Sequence, residues 1–294
     1  MTLQLKPLHS FFAAEADGVD LRRTVRPETR REIEAAMDRY AVLVFRRQPL
    51  TEEEQIDFGR SFGTLDIGLK KALRRPNRYK HDETIDISNV DETGSIASVA
   101  SKKMYSQLAN QLWHSDSSFE NPPARYSMLH SLTNPPKGGE TEFADLRAAY
   151  DALPADTKQQ IDGLRAQHYA LHSRMNLGDT EWTEEQKRAI PPVDWPLVRT
   201  HPGSGRKVLF VGVHATHVVG MHLGQGRLLL AELLEHATQR EFVYRHHWQV
   251  GDTIMWDNRA VLHRGRRYDL SQRRELRRVS TQDIPEAKSR PQQL

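Results

Sequence analysis

The pattern of apolar and polar positions predicts short elements along the whole chain. Residues 27–40 (Pro-Glu-Thr-Arg-Arg-Glu-Ile-Glu-Ala-Ala-Met-Asp-Arg-Tyr) suit a helix that Pro27 opens, because its fixed φ is pre-set for a first helical position. Ala41–Phe45 is an unbroken apolar run of strand length and predicts a buried strand. Thr51-Glu52-Glu53-Glu54 reads as a capping box ahead of a helix carrying Ile56 and Phe58, with Gly63 as its stop. Residues 64–105 are polar and weakly patterned, with one short strand at Ile85–Val90, and predict long loops of the kind that form lids.

Beyond them, Arg125–His130 is strand-like, Pro135-Pro136-Lys137-Gly138-Gly139 is a turn, and Glu140–Phe143 is extended again. Asp145 caps a short helix that ends before Pro154, a second helix runs to about Gly163, and Ala166–Leu171 reads as a strand. Thr183-Glu184-Glu185-Gln186 repeats the capping-box pattern, and Pro191-Pro192 ends that helix. Leu197–His201 and Lys207–Val213 pair across Pro202-Gly203-Ser204-Gly205. Residues 225–238 form the strongest helix pattern, with Leu228, Leu230, Ala231, Leu233 and Leu234 as its apolar stripe. Four strands follow, Glu241–Val250, Thr253–Asp257, Val261–His263 and Arg274–Thr281, and the tail from Pro285 is polar and loose. Many short strands with helices gathered near the front and middle predict an α+β fold, mainly β, with an antiparallel core. With no repeat and no linker, residues 1–294 read as a single domain, and 294 residues suffice for a sizeable core.

Composition narrows the class. Hydrophobic residues make up 37% and charged residues 28%, as in a soluble globular enzyme. No apolar run approaches the ~20 residues of a membrane span, and Met1–Lys6 lacks the layout of a signal peptide. The absence of Cys excludes disulfides and thiolate metal sites and is compatible with the cytoplasm. A net charge of +3 and a pI of about 9.1 raise nucleic-acid binding. No helix-turn-helix, zinc-finger or RNA-binding pattern accompanies them, and a local need to bind small carboxylates explains the excess equally well.

Candidate chemistry begins at Trp113-His114-Ser115-Asp116. On an extended strand, side chains two apart share a face, so His114 and Asp116 present an imidazole and a carboxylate together. These are two of the three ligands of a facial triad, which leaves other metal positions open to substrate and oxygen. The alternative is a surface His and a turn Asp. Among fourteen histidines, His263 is the natural third ligand, because it ends the apolar Val261-Leu262 run and is followed eleven positions later by Arg274. Arg274 and Arg278 share a face about 13 Å apart at ~3.3 Å per residue. Two guanidiniums pointed into a barrel each require a carboxylate; the alternative is a solvated basic strand edge.

Around these residues the chain resembles the Fe(II)/2-oxoglutarate-dependent dioxygenases of the taurine dioxygenase type, and within them the branch that degrades aryloxyacetate herbicides. The resemblance spans nearly the whole chain and is densest at Ala109–Phe119, Ala148–Pro154, Glu235–Arg245, Met255–Asn258 and Val261–Arg278. It implies a double-stranded β-helix, a jelly-roll-like core with flanking helices and long active-site loops. It implies Fe(II) held by His114, Asp116 and His263, with no catalytic side chain beyond the metal centre, and O2 and 2-oxoglutarate as co-substrates. It implies Thr141 and Arg274 as 2-oxoglutarate ligands, Trp256 packed beside them or serving as an ordinary core residue, and Arg278 at the anionic end of the substrate. Lys71, Asn110, Ser117 and His214 are weaker candidates for the substrate carboxylate and ether oxygen. Their plainer readings are a surface lysine, two local caps and a core histidine. His201 and His217 rank below them. The implied reaction hydroxylates the ether-linked methylene of an aryloxyacetate such as 2,4-dichlorophenoxyacetate, giving a phenol, glyoxylate, succinate and CO2. The implied partner is a small anionic aromatic molecule, without nucleic acid or membrane; homo-oligomerisation is consistent with the family alone. Lys70-Lys71-Ala72-Leu73-Arg74 departs from the branch pattern, although Lys71 remains in place, and the departure bears on the substrate more than on the chemistry. A sulfonate or other small-anion dioxygenase, or a basic metal- or nucleic-acid-binding β-barrel, are the competing readings.

Overall fold

A computed structural model describes residues 3–69, 78–99 and 101–283. Lys71, its neighbours in the 70–74 segment and the tail from Pro285 lie outside the described residues. Strands β1 (Gln4–Pro7) and β2 (Ala14–Asp17) lead into helix α1 (Pro27–Tyr40), which begins at the proline as expected. Its Ile33, Ala36, Met37 and Tyr40 are buried. Ala41 takes a left-handed φ of 58° to end the helix, so strand β3 starts one residue later than expected, at Val42–Phe45. Helix α2 (Glu52–Arg60) has both bonds of the capping box between Thr51 and Glu54.

The weakly patterned region holds more structure than its sequence suggests. Strands β4 (Leu65–Asp66) and β5 (Ile85–Ser88) lie in it, and helix α3 (Lys102–Ala109) begins in it, capped by Ser101. Next come β6 (Ala124–Thr133), β7 (Thr141–Asp145), α4 (Leu146–Ala152, capped by Asp145) and α5 (Ala155–Ile161). Strand β8 (Arg165–His168) is shorter than expected, because the chain turns at Tyr169 into the brief helix α6 (His172–Met175). Helix α7 (Glu184–Ala189) has its capping box, β9 (Val193–Pro196) pairs with β8, and β10 (Val198–Thr200) pairs with β11 (Lys207–Leu209) in the expected hairpin. Strand β12 (Ala215–Val218) joins β8, and α8 (Leu223–Ala237) follows.

The buried face of α8 corrects the expected stripe. Gly226, Leu229, Leu230, Leu233 and Ala237 face the core, whereas Leu228 is 61% exposed and Ala231 is also exposed. Six of seven residues from Leu228 to Leu234 are apolar, so periodicity alone fits more than one face.

Strands β13 (Val243–His246), β14 (Thr253–Asp257), β15 (Val261–Gly265) and β16 (Glu275–Gln282) complete the chain. The large sheet runs β1-β2-β3-β14-β6-β16-β4, with β5 also on β16; β2–β3 is parallel and the other pairs are antiparallel. A small antiparallel sheet runs β13-β7-β15. The two sheets share one apolar cluster. Phe143 and Val261 of the small sheet pack with Val42, Val44, Leu129, Ile254, Trp256 and Leu276 of the large one. Burial of each large side chain there contributes about 1.5–3 kcal/mol. The outer face of the large sheet packs Tyr126, Met128 and Met255 against α1 and α2. This division decides the fate of the C-terminal arginines. Arg277 points outward and bonds Gln55 Oε1 and the carbonyls of Leu50 and Thr51 on the α2 side, while Arg274 and Arg278 point between the sheets. Among the described residues, no helix is long and apolar enough to cross a membrane.

Candidate active site

His114, Asp116 and His263 converge with one ligand atom each, all within 4.8 Å of one another. The convergence has a different origin from the one expected. His114 and Asp116 do not lie on a strand. His114 forms a single bridge to His263, and residues 116–119 form a turn in which Ser117 has a left-handed φ of 47°. Reciprocal backbone bonds, His114 N to His263 O at 3.0 Å and the reverse at 2.8 Å, set the two histidines side by side with ring centroids 4.1 Å apart. The turn then folds Asp116 back between them. Its carboxylate lies 3.9 Å from His114 Nε2 and 3.8 Å from His263 Nε2.

The donor set fits a divalent metal. His114 Nδ1 lies 2.7 Å from the Leu112 carbonyl and donates to it, which leaves Nε2 as the lone-pair atom aimed at Asp116. Burial lowers the pKa of both imidazoles and keeps them neutral, as ligands must be. Burial pushes Asp116 up, but Arg278 and the two histidines outweigh it and hold the carboxyl at about 2, so it is ionised. Two neutral imidazoles and one carboxylate on one side match the facial triad of non-haem iron. His263 Nδ1 is buried with no partner among the described residues.

A hub missed by the sequence reading fixes this cluster. Asn258 accepts the Asp116 N–H at 3.0 Å and the Trp256 indole N–H at 3.0 Å through Oδ1, and its Nδ2 donates to Ser127 Oγ at 2.9 Å. Ser127 in turn donates to Asp116 Oδ2 at 2.7 Å, and Ser115 Oγ donates to the Asn258 carbonyl. Asn258 lies 131 to 143 residues from Ser115, Asp116 and Ser127, so no local signal joins them to it.

A cavity of about 30 Å³ lies against the triad, walled by Ile87, Asn110, Leu129, Thr141, Trp256, His263, Gly265, Arg274 and Arg278 among others. The three residues expected at 2-oxoglutarate are therefore together. Arg274 is 5% exposed and has no carboxylate of the described residues within ion-pair distance. Burial lowers its pKa to about 10, so it stays charged. Its Nε and Nη2 both donate to the Gly139 carbonyl, at 3.2 and 3.1 Å. That contact explains the Gly138-Gly139 turn. A Cβ on Gly139 would lie 3.1 Å from Arg274 Nε, one on Gly138 would lie 2.4 Å from the Arg267 carbonyl, and both residues have positive φ. Asn89, inside the strand expected over Ile85–Val90 and just past the end of β5, accepts the Arg274 N–H at 2.9 Å and donates to the carbonyls of Leu270 and Gln272. A buried guanidinium with spare N–H donors and no counter-ion calls for a ligand carboxylate. Trp256 is fully buried and its N–H is committed to Asn258, so it offers the cavity an apolar wall.

A second cavity of about 420 Å³ opens on the other side and shares Ile87, Asn110, His114 and Arg278 with the first. Its volume suits a small organic ligand. Arg278 Nη1 bonds Asp116 Oδ1, and its Nε is buried without a partner among the described residues. Asn110, Ser117 and His214 line this cavity as expected of substrate contacts. Ser117 differs in one respect: its hydroxyl donates to Asp66 Oδ2 at 2.7 Å and is thereby committed away from a ligand. His214 is 7% exposed, with Nδ1 unpartnered among the described residues and its ring edge-on to Phe119 at 4.8 Å. Burial, with the nearby His114, lowers its pKa well below the usual value. Phe119, Ile85 and Ile87 give the cavity an apolar side that the sequence reading did not single out. His201 pairs with Asp257 at 3.0 Å and His217 with Thr216 at 2.8 Å; neither lines either of these two cavities.

A buried facial triad beside one cavity ending on a lone guanidinium defines an oxidoreductase site, and the comparisons with known proteins agree. Residues 4–280 match the model of the taurine catabolism dioxygenase TauD, TfdA family, and the chain belongs to that family. It is 59% identical to the alpha-ketoglutarate-dependent 2,4-dichlorophenoxyacetate dioxygenase of Cupriavidus pinatubonensis, over 96% of this chain and 99% of that protein. It is 35% identical to the (S)-phenoxypropionate/alpha-ketoglutarate-dioxygenase of Sphingobium herbicidovorans, over 92% of this chain and 91% of that one. Among solved structures, AAD-2 in complex with Mn(II) and N-oxalylglycine superposes with a TM-score of 0.92 at 44% identity, covering 97% and 99% of the two chains.

Proposed function

We propose that the protein is an Fe(II)- and 2-oxoglutarate-dependent dioxygenase that cleaves aryloxyacetates such as 2,4-dichlorophenoxyacetate. The observation that carries the reading is the meeting of the two cavities at His114, Asp116 and His263, one of them ending on buried Arg274. The packed sheets would form the double-stranded β-helix of the family, with the triad at one mouth. Iron bound by these three residues would couple O2 reduction to decarboxylation of 2-oxoglutarate and supply the oxidant for C–H hydroxylation.

The chain's own residues do the rest. Arg274 binds the distal carboxylate of 2-oxoglutarate with its free donors, and Thr141 adds its hydroxyl. Trp256 closes the cavity and excludes water. Arg278, at the border of both cavities, exchanges Asp116 for the substrate carboxylate and fixes the adjacent methylene near the triad. His214 Nδ1 and Asn110 are the polar groups available to the ether oxygen and carboxylate, with Lys71 as a further cation, while Phe119, Ile85 and Ile87 hold the ring. Hydroxylation of that methylene gives a hemiacetal, which breaks its ether bond to release the phenol and glyoxylate.

The test is reconstitution without oxygen with Fe(II) and 2-oxoglutarate, followed by oxygen and a panel of phenoxyacetate, 2,4-dichlorophenoxyacetate, phenoxypropionates, taurine and an alkyl sulfate. Phenol and succinate in equal amounts from the aryloxyacetates is the expected result. Succinate formed only with taurine or the sulfate ester would overturn the substrate and leave the iron site standing.

A further inference from the structure

Thr141 Oγ1 has a partner that the proposed chemistry does not use. The indole N–H of Trp248 donates to it at 3.0 Å. Indole nitrogen only donates, so the direction of this bond is unambiguous. With one lone pair engaged by Trp248, the Thr141 hydroxyl has its own hydrogen left to give, and Thr141 borders the small cavity beside Arg274.

Trp248 is itself partly buried against the inter-sheet cluster. Its ring stands edge-on to His246 at 4.7 Å. His246 is fully buried and bonds Asp252 Oδ2 through Nε2 at 3.1 Å and Tyr244 Oη through Nδ1 at 3.2 Å. Asp252 also takes Arg46 Nη1 at 2.5 Å and the Gln249 N–H at 2.9 Å, which closes the loop that carries Trp248. His246 lies opposite Thr141 in the pairing of β13 with β7. The loop and the threonine are thus registered by the same ladder.

We infer that Trp248 is a positioning residue for 2-oxoglutarate: by donating to Thr141 Oγ1 it turns the Thr141 hydroxyl into an oriented donor aimed at the carboxylate that Arg274 binds. The inference rests on the proposed placement of 2-oxoglutarate. Without the indole N–H the hydroxyl is free to rotate, and ordering it falls to the ligand.

The experiment is a double-mutant cycle on the Mn(II)-loaded protein, with 2-oxoglutarate and N-oxalylglycine affinities measured by anaerobic titration calorimetry. Trp248→Phe should weaken both ligands about fivefold, the effect of one hydrogen bond. The same change in a Thr141→Val background should have almost no effect, and in a Thr141→Ser background it should cost about fivefold again. Mn(II) affinity and the KM for the aryloxyacetate should not move. Equal losses in the Val and Thr backgrounds would show that Trp248 acts only through packing and overturn the inference. A Thr141→Val variant with unchanged affinity would instead overturn the placement of 2-oxoglutarate. Should the phenylalanine variant fail to fold, 3-benzothienylalanine at position 248 keeps the ring shape and removes the donor; full affinity in that protein would equally refute the role.

Discussion

Strands β5, β6, β7, β14, β15 and β16 each place a residue on the small cavity: Ile87, Leu129, Thr141, Trp256, His263 and Arg278. The large cavity takes its walls mainly from other material: Gly68 and Leu69 after β4, one face of α3, Ser173 and Arg174 at α6, and the turn carrying Ser117 and Phe119. The first set is locked by inter-strand ladders and by the Asn258, Asn89 and Gly139 contacts. The second is docked side chain by side chain. The difference teaches where each property of the enzyme resides. In the proposed reading the 2-oxoglutarate site is built mainly on the hydrogen-bonded strands, while much of the substrate wall is built on helices and turns.

The largest expected effect comes from the seam between the cavities. His114→Ala should abolish metal-dependent succinate formation and lower metal content on purification; a variant with full 2-oxoglutarate turnover would break the assignment of the triad. Arg274→Leu should raise the Kd for 2-oxoglutarate roughly 30-fold, about 2 kcal/mol for a charge-assisted pair, with little change in aryloxyacetate KM. Arg278→Gln should do the reverse, raising the aryloxyacetate KM roughly tenfold while moving 2-oxoglutarate affinity less. If both variants shifted both ligands equally, the cavities would not be separable and the comparison would fail.

The smallest effect is a dependence on pH. His168 donates to or accepts from Ser118 at 3.2 Å, behind the turn that walls the large cavity, and burial lowers its pKa to about 3. His130, between the β strands, is lowered by burial and Arg277 to about 4. Below pH 6.5 the unfolded chain takes up protons that these buried imidazoles refuse, so stability falls as pH drops toward 4 and then 3. Glu120 has the opposite sign: burial and Asp66 raise it to about 7, so its contribution is lost as pH rises from 4.5 through 7. His168→Gln should flatten the acid side of the profile, read as urea midpoints between pH 4 and 7. An unchanged slope would remove His168 from the account.

The local part of the site was legible early. The capping boxes at Thr51 and Thr183, the proline start of α1 and the Asp145 cap were all readable, because the caps are bonds across two or three residues and the proline fixes φ at a single one. The shared face of Arg274 and Arg278 followed from strand geometry, and the small cavity contains both. Other features were not legible. The face of α8 needed its neighbours, since an almost continuous apolar run fits several faces. The His114–Asp116 geometry needed the bridge to His263 and a left-handed Ser117, neither of which has a sequence signature.

By itself the sequence determined the donor types, their order along the chain and the cationic pair that follows them. Those depend on residue identity and on spacings within one element. Only the tertiary structure decided which groups stay free. It tied the Ser117 hydroxyl to Asp66, left Arg274 with no carboxylate partner among the described residues and set Trp248 on Thr141 from 107 residues away. A hydrogen bond uses up its donor wherever the partner comes from. Partners brought in by sheet pairing have no fixed separation in sequence, so the chain alone carries no pattern from which to read them.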